Sequence, residues 1–558
     1  MKRLSSFLLL GLVACAGAHE EAKPDSPAAA GAPGAPAASG KKMASGDVSF
    51  ELATTEVKGN LYEPDALGRP GMPLIDPKRP VPLDKQRALV QSAKDPVQKQ
   101  AQAAVLATML YRQAKEEKDK AKEKGLWGEA RQLLRDVSQQ VGDANVDEVT
   151  LRLLGSYEIL LEDYAAAEKA WAALIEKDPK SKELPFNRAY LAYSQLKQFK
   201  NAEAVASIGG AAPDDKQPEL AYVTAWAKWR TGDNQGAWQA ISAAAKGWGQ
   251  NLRREELEQN VLMFASRGGI TFEQAQPVLI MMGQDKAQLL LPKKGKESKE
   301  VKEKTQLLGY DLLAKLGISG FGLTGQWADA VAALNKAVEF GGDTVPPDDR
   351  VVIRYSQADF TIKLDTPDAT VAFAKQTVDA LAACPKCTDK EKTNYAQGIY
   401  QTGRLFHILY ATANDKRYYQ PAHDLYAMAI PLLPAAAQGQ AQQDAAKLET
   451  TVKNIKPGTG THDKGAIGAL LVRHAPEIAT CYENVLQRNP KLAGNLSVML
   501  ESDASGEIKG VATEPRAGQA DMAAVAACAA ERAKSWKLPK RGLPGSTRIK
   551  TTFSLSKK

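Results

Sequence analysis

Small residues recur at one interval in the middle of this 558-residue chain: Ala167, Ala202 and Ala237 stand 35 positions apart. Three positions before them are Tyr164, Phe199 and Asn234, and four positions after them are Trp171, Ala206 and Ile241. A fixed interval of this length marks stacked supersecondary units. A lone pair of helices cannot bury its apolar stripe, so each pair needs its neighbours and the stack itself becomes the core. From about Lys85 to Lys456 the chain is rich in Ala and Leu at helical spacing. Weaker copies stand at Trp127-Gly128-Glu129-Ala130, at Trp327-Ala328-Asp329-Ala330, and at Tyr419-Gln420-Pro421-Ala422 with Tyr426, Ala429 and Pro434. The expectation is an α-solenoid over residues 85–456. An irregular helical bundle is the alternative.

Leu154-Gly155, Ala167, Trp171 and Pro179 resemble the tetratricopeptide repeat. That resemblance implies a small residue that lets the second helix of a pair cross closely over the first. It also implies a concave face, built by the first helices, on which partners are held. If repeats begin near Glu148, Glu183 and Pro218, the fifth positions are Arg152, Asn187 and Tyr222, with Gln195, Trp226, Trp229 and Arg230 nearby. Trp and Arg are frequent anchors of protein interfaces, so these seven are the candidate partner-binding residues. For Trp226 and Trp229, burial in the core is the competing reading.

The last stretch, residues 465–558, changes character. A helix from about Ala475, with Pro476 tolerated in its first turn, aligns Ile478, Cys481, Tyr482 and Val485. Leu496, Val498 and Leu500 then alternate on one side of a strand, Asp503 to Gly506 makes a turn, and Ile508 to Thr513 returns. A second helix, capped by Asp521, carries Val525, Cys528, Ala529 and Trp536, and a final strand alternates Ile549, Thr551, Phe553 and Leu555. The predicted order is α-β-β-α-β, so the whole chain is mostly α with a small α+β domain at its end. Cys481-Tyr482-Glu483, Asn489-Pro490-Lys491-Leu492-Ala493-Gly494, Cys528 and Trp536-Lys537-Leu538-Pro539 together resemble the AgmX/PglI C-terminal domain, with Leu538 where that family usually carries an aromatic residue. The family is similar in layout to the C-terminal domain of TonB. The resemblance implies a cell-envelope protein of the kind found in gliding motility. Residues 457–464, opening with Pro457-Gly458-Thr459-Gly460-Thr461, read as the hinge before this domain.

At the other end, Lys2-Arg3 precede an apolar run from Leu4 to Val13, too short to span a bilayer, and Leu12-Val13-Ala14-Cys15 reads as a bacterial lipobox. Residues 1–14 are then a leader and Cys15 the site of lipidation. In lipoproteins the absence of Asp after that cysteine resembles the outer-membrane default, so attachment to the outer membrane, facing the periplasm, is expected. Residues 15–46 are largely Ala, Pro, Gly, Ser and Lys, a tether with a reach of roughly 30 Å. Residues 47–84 are Pro-rich and read as an extended strap packed on the chain downstream of it. Setting Cys15 aside leaves four cysteines, an even number that suits an oxidising compartment: Cys384 with Cys387 and Cys481 with Cys528.

Chemistry is sparse. Cys384-Pro385-Lys386-Cys387 invites thiol exchange, but a thioredoxin-like site needs a preceding strand, and Val371 to Ala383 reads as helix. A loop disulfide is the favoured reading, and a periplasmic thiol oxidoreductase using Cys384 and Cys387 is kept as a rival. His19, His407, His423, His462 and His474 form no metal or triad pattern. Phosphate-binding glycine loops, nucleophile elbows and aromatic-plus-basic nucleic-acid patches are missing from the sequence, so no cofactor, metal or nucleic acid is expected. Without the leader the net charge is +6, and Lys464 onward contributes 15 basic against 8 acidic residues. Arg532, Lys534, Lys537, Lys540 and Arg541 cluster there, which suits an acidic partner, anionic lipid or a cell-wall polymer such as peptidoglycan. The expected function is a non-catalytic lipid-anchored scaffold that binds envelope or gliding-machinery proteins. A generic cell-wall-binding adaptor is the second alternative.

Overall fold

The computed structural model describes residues 47–68, 70, 81–210, 212–247, 252–290, 299–454, 464–516, 520–538, 540 and 544–558. The leader, Cys15, the tether, Arg69 and residues 71–80 of the strap, and most of the expected hinge lie outside the described residues. The chain forms two compact units: Tyr62–Met282, and the residues up to Leu61 together with Gly283–Lys558.

The first unit is a run of helices: α1 (Leu83–Ser92), α2 (Pro96–Glu116), α3 (Lys120–Val141), α4 (Glu148–Leu160), α5 (Tyr164–Lys177), α6 (Leu184–Lys197), α7 (Asn201–Ile208), α8 (Pro218–Thr231), α9 (Asn234–Gly247), α10 (Arg254–Arg267) and α11 (Phe272–Leu290), the last running past the end of the unit at Met282. Local chemistry starts several of them. The carboxylates of Asp95, Asp119, Asp147 and Asp163 accept from free amides in the first turns of α2 to α5. From α2 onward the helices pair, and each of three successive pairs turns on a residue two places before its second helix. At Glu162, Phe199 and Gly232 that residue has φ of 63°, 59° and 96°, a left-handed conformation that ends one helix and aims the next.

The pairs are less regular than the 35-residue interval. First helices begin at Glu148, Leu184, Pro218 and Arg254, but α7 begins at Asn201, two residues later than the interval places it. Ala202 is therefore exposed, and Ala204 is the fully buried equivalent of Ala167 and Ala237. Likewise Ile208, not Ala206, is the buried counterpart of Trp171 and Ile241. A small residue is buried at the fourth position of each of these second helices because the first helix crosses there. Gly155 serves the same closeness from the other side: a Cβ on it would meet Trp171 Nε1 and Cε2 at 2.8 Å.

In the second unit, α12 (Lys299–Lys315) continues through a π-helical turn, Leu316–Phe321, to Thr324. Next come α13 (Trp327–Gly341), α14 (Pro347–Lys363), α15 (Pro367–Ala382), α16 (Asp389–Ala413), α17 (Tyr419–Ala429) and α18 (Ala435–Asn454). The left-handed turn returns at Gly325 and Asp365, again two residues before α13 and α15, and Ala330, Thr370 and Ala422 hold the buried fourth position. The same unit holds the terminal domain: α19 (Lys464–Val472), α20 (Ala475–Leu486), β3 (Gly494–Ser502), β4 (Ile508–Arg516), α21 (Ala520–Ala533) and β5 (Thr547–Lys557). Leu496, Val498, Leu500, Ile549, Phe553 and Leu555 form one core with Ile478, Tyr482, Val525 and Trp536. A disulfide joins Cys481 on α20 to Cys528 on α21, with Cα atoms 5.7 Å apart.

Two features of this domain depart from the sequence reading. Asp521 lies inside the first turn of α21 instead of capping it, and its carboxylate accepts from Asn489 Nδ2 at 2.9 Å. The sheet also has five strands and not three. The expected strap begins with β1 (Val48–Glu51) and β2 (Thr55–Gly59), which both pair parallel with β5, Phe50 opposite Ile549 and Val57 opposite Leu555. The strand order is β1-β5-β3-β4, with β2 on the same side of β5 further along it. Sequence-local β3 and β4 form the hairpin on the other side.

Candidate functional site

Within the first unit, the first helices of successive pairs present their inner faces to the segment Tyr62-Glu63-Pro64-Asp65-Ala66-Leu67-Gly68. Most contacts to this segment are to its main chain. The Ala66 amide donates to Tyr222 Oη at 2.9 Å, and Tyr222 in turn donates to Asn260 Oδ1 at 2.6 Å. Arg230 Nη2 donates to the Tyr62 carbonyl at 2.9 Å while its Nη1 donates to the Leu196 carbonyl at 2.7 Å. The Arg253 amide donates to the Ala66 carbonyl at 2.7 Å, and the Arg253 guanidinium to the Asp65 carbonyl. Tyr190 Oη reaches the Gly68 carbonyl at 3.3 Å, and Leu67 forms an antiparallel bridge with Leu252.

Side chains of the segment are read as well. Lys197 pairs with Glu63, and Asn260 Nδ2 lies 3.4 Å from Asp65 Oδ1. The Tyr62 ring rests 6.0 Å from Trp229 with the Arg267 guanidinium 4.8 Å over it. Ala66 and Leu67 are buried.

The electrostatics centre on Arg230. It is 1 % exposed, and burial pulls its pKa down to about 10 against the opposing pull of Glu63. Its planar cation lies 4.8 Å over Phe199 and 5.5 Å over Trp226. Burial also pushes the Tyr222 phenol well above its ordinary range, so it stays a neutral hydroxyl able to accept from one partner and donate to another.

Of the seven residues proposed from sequence, Tyr222, Trp229 and Arg230 touch the segment. Trp226 lies behind them, 5.5 Å from Trp229 and 5.3 Å from Phe264. All three of Trp226, Trp229 and Arg230 are buried: Trp226 in the core, the competing reading, and Trp229 and Arg230 beneath the chain's own segment, not exposed as anchors. Asn187 is buried and receives Arg152 Nη2 at 3.4 Å, a contact between neighbouring pairs. Gln195 turns to α5, where it reaches Glu168 at 3.3 Å. Lys197, Arg253, Asn260, Tyr190 and Arg267 were not anticipated. The signal for Arg253 and Asn260 was available, since Arg254 opens a fourth first helix in the series from Glu148, Leu184 and Pro218.

The remaining candidates lie elsewhere. Cys384 and Cys387 are joined in the loop between α15 and α16, with Cys384 buried against Val351, Ala380 and Leu381. Helix precedes this loop and a Thr388–Glu391 capping box follows it. His474 stacks between Trp327 and Trp536, ring centroids 5.9 and 4.4 Å away, and Glu477 takes His474 Nδ1 at 2.7 Å and the Trp536 indole at 2.8 Å. His407 and His423 lie on α16 and α17, and His19 and His462 are outside the described residues. In the basic cluster Lys534 pairs with Glu531, Lys537 and Lys540 are exposed, and Arg541 is outside the described residues. Among the described residues no group of three His, Cys, Asp or Glu is placed to hold a metal ion, and no helix is long and apolar enough to cross a membrane.

No family model matches the chain, and no curated protein does. Among solved structures it is similar to one described as "Structure of Naa15/Naa10 bound to HypK-THB", at 10% sequence identity, covering 72% of this chain and 82% of that one with a TM-score of 0.14. A likeness at that TM-score says nothing of shared architecture. The helical pairs of this chain carry the fold by themselves.

Proposed function

We propose that this chain is a non-catalytic protein-interaction scaffold, anchored by lipid at Cys15 in the outer membrane and facing the periplasm. Its helical pairs and basic terminal domain would hold other envelope proteins there. One observation carries the scaffold reading: buried polar side chains of the first unit, Tyr222 and Arg230 above all, grip an extended segment chiefly through its main chain. Stacked helix pairs commonly bind partners through such a face. The resemblance of the terminal domain to the AgmX/PglI type, and the lipobox, support an envelope site and a role in a gliding-motility complex. The basic residues around α21 support peptidoglycan as a further ligand.

Two measurements test this. Cys15→Ser should release the protein from the membrane fraction, and retention of that variant there overturns the anchor. Crosslinking in intact cells followed by mass spectrometry should recover envelope proteins as neighbours. Recovery of none overturns the scaffold.

A further inference from the structure

We infer that the inner face of the first unit is a receptor for extended acidic segments of partner proteins, and that Tyr62–Gly68 is a built-in occupant that partners must displace. The inference deepens the scaffold reading and rests on it. Three observations carry it.

First, the grip is largely blind to sequence. Tyr222, Arg230 and Arg253 bind the Ala66 amide and the carbonyls of Tyr62, Asp65 and Ala66, groups that any extended chain presents. A foreign segment in the same conformation satisfies the same donors and acceptors, as in other main-chain recognition. Second, one side-chain preference of the face is specific in charge. Lys197 pairs with Glu63, and the buried Arg230 feels the same carboxylate, whereas the Arg253 guanidinium is paired with Glu256, so the favoured ligand carries a carboxylate after an aromatic residue. Third, Arg230 is a fully buried cation whose two acceptors are neutral carbonyls, one of them supplied by the segment itself. An ionised group at such depth is costly for a purely structural floor and suits a site that must recognise whichever chain lies over it.

Because it is covalently attached, the occupant faces its site at an effective concentration on the order of millimolar. A free peptide with the same contacts therefore binds the unaltered protein far more weakly than an emptied one. The test uses the full chain with Tyr62–Gly68 replaced by seven Gly and Ser residues, and a fluorescein-labelled synthetic Tyr62–Gly68 peptide read by fluorescence anisotropy. The replaced chain should bind saturably and at least tenfold more tightly than the unaltered chain, and Lys197→Glu in the replaced chain should cut that binding at least tenfold. A replaced chain with native circular dichroism and no saturable binding overturns the inference. So does a stable dimer that buries the peptide face by exchanging this segment between two copies. If the replacement unfolds the protein, hydrogen exchange on the unaltered chain decides: an Ala66 amide exchanging at least 100-fold faster than α8 amides sustains a displaceable occupant, and exchange together with α8 overturns it. Cell fractionation does not depend on this face, and in-cell crosslinking also captures partners held by the terminal domain, so either claim can fail alone.

Discussion

Gly59 lies flat against the ring of Tyr482, so close that a Cβ at position 59 would come within 2.5 Å of Tyr482 Cδ1. Tyr482 is fully buried and its hydroxyl donates to the Leu492 carbonyl, so moving the ring aside costs that bond and the surrounding packing. The end of β2 is thereby packed on the helix that carries the Cys-Tyr motif, and beside this contact the Asn60 amide donates to Glu483, 423 residues away in the chain. Gly59→Ala should overpack this contact and destabilise the second unit by about 1–3 kcal/mol. Urea unfolding followed by tryptophan fluorescence measures it, and an unchanged midpoint contradicts the packing.

The disulfide between Cys481 and Cys528 closes a separation of 47 residues. In the chain-entropy picture, constraining the unfolded chain this way is worth roughly 3–4 kcal/mol. The double substitution Cys481→Ser and Cys528→Ser should lower the midpoint of the terminal domain, and adding a reductant should then cause no further loss from that pair. Thermal melts with and without dithiothreitol check both statements.

Ala202 and Ala204 differ by two positions and should differ in tolerance. Ala204→Leu pushes a large side chain into the crossing of α7 over α6 and should cost about 1–3 kcal/mol. Ala202→Leu, on an exposed position, should stay within about 0.5 kcal/mol of the parent. The reverse order, with Ala202→Leu the costlier change, would mean that the helix starts where the 35-residue interval puts it.

His407 sits on α16 with Nδ1 3.3 Å from Tyr426 Oη and Nε2 3.3 Å from Thr451 Oγ1. Burial, only partly opposed by Asp444, holds its pKa below the ordinary 6.5. The folded state thus prefers the neutral ring, and the unfolded state binds the proton more readily. The stability this group contributes is present above the unfolded pKa and is lost as pH falls through the lower folded value. His407→Gln should therefore flatten the loss of stability of the second unit between pH 7 and pH 5, as read by urea midpoints at several pH values. An equally steep loss in the variant would remove His407 from the account.

Much of this architecture is written locally. Helical spacing, acidic caps such as Asp147 and Asp163, and the alternation of Leu496, Val498 and Leu500 are short-range signals, each satisfied within a few residues of backbone, and the helix pairs and the terminal hairpin follow from them. Setting Cys15 aside, counting leaves an even four cysteines but three ways to join them, and the two disulfides realise one of these. What no local pattern could decide is where the N-terminal stretch goes. Strands β1 and β2 are short and have no partner near them in sequence, so their pairing with β5 depends on an edge formed about 500 residues later. The groove is the same case. Tyr222, Trp229 and Arg230 look like exposed anchors when read along α8, and they are buried because Tyr62–Gly68 lies over them. The two-residue slip that replaces Ala202 by Ala204 is set upstream of the turn at Phe199: α6 begins at Leu184, one residue later than the interval places it, and runs one residue longer than α4. The amino-acid order by itself determines that this protein is a stack of helix pairs ending in a small mixed domain, since periodicity and capping act through neighbours. Only the tertiary structure decides which faces remain open, because that depends on distant segments finding backbone donors and acceptors that the local sequence leaves unsatisfied.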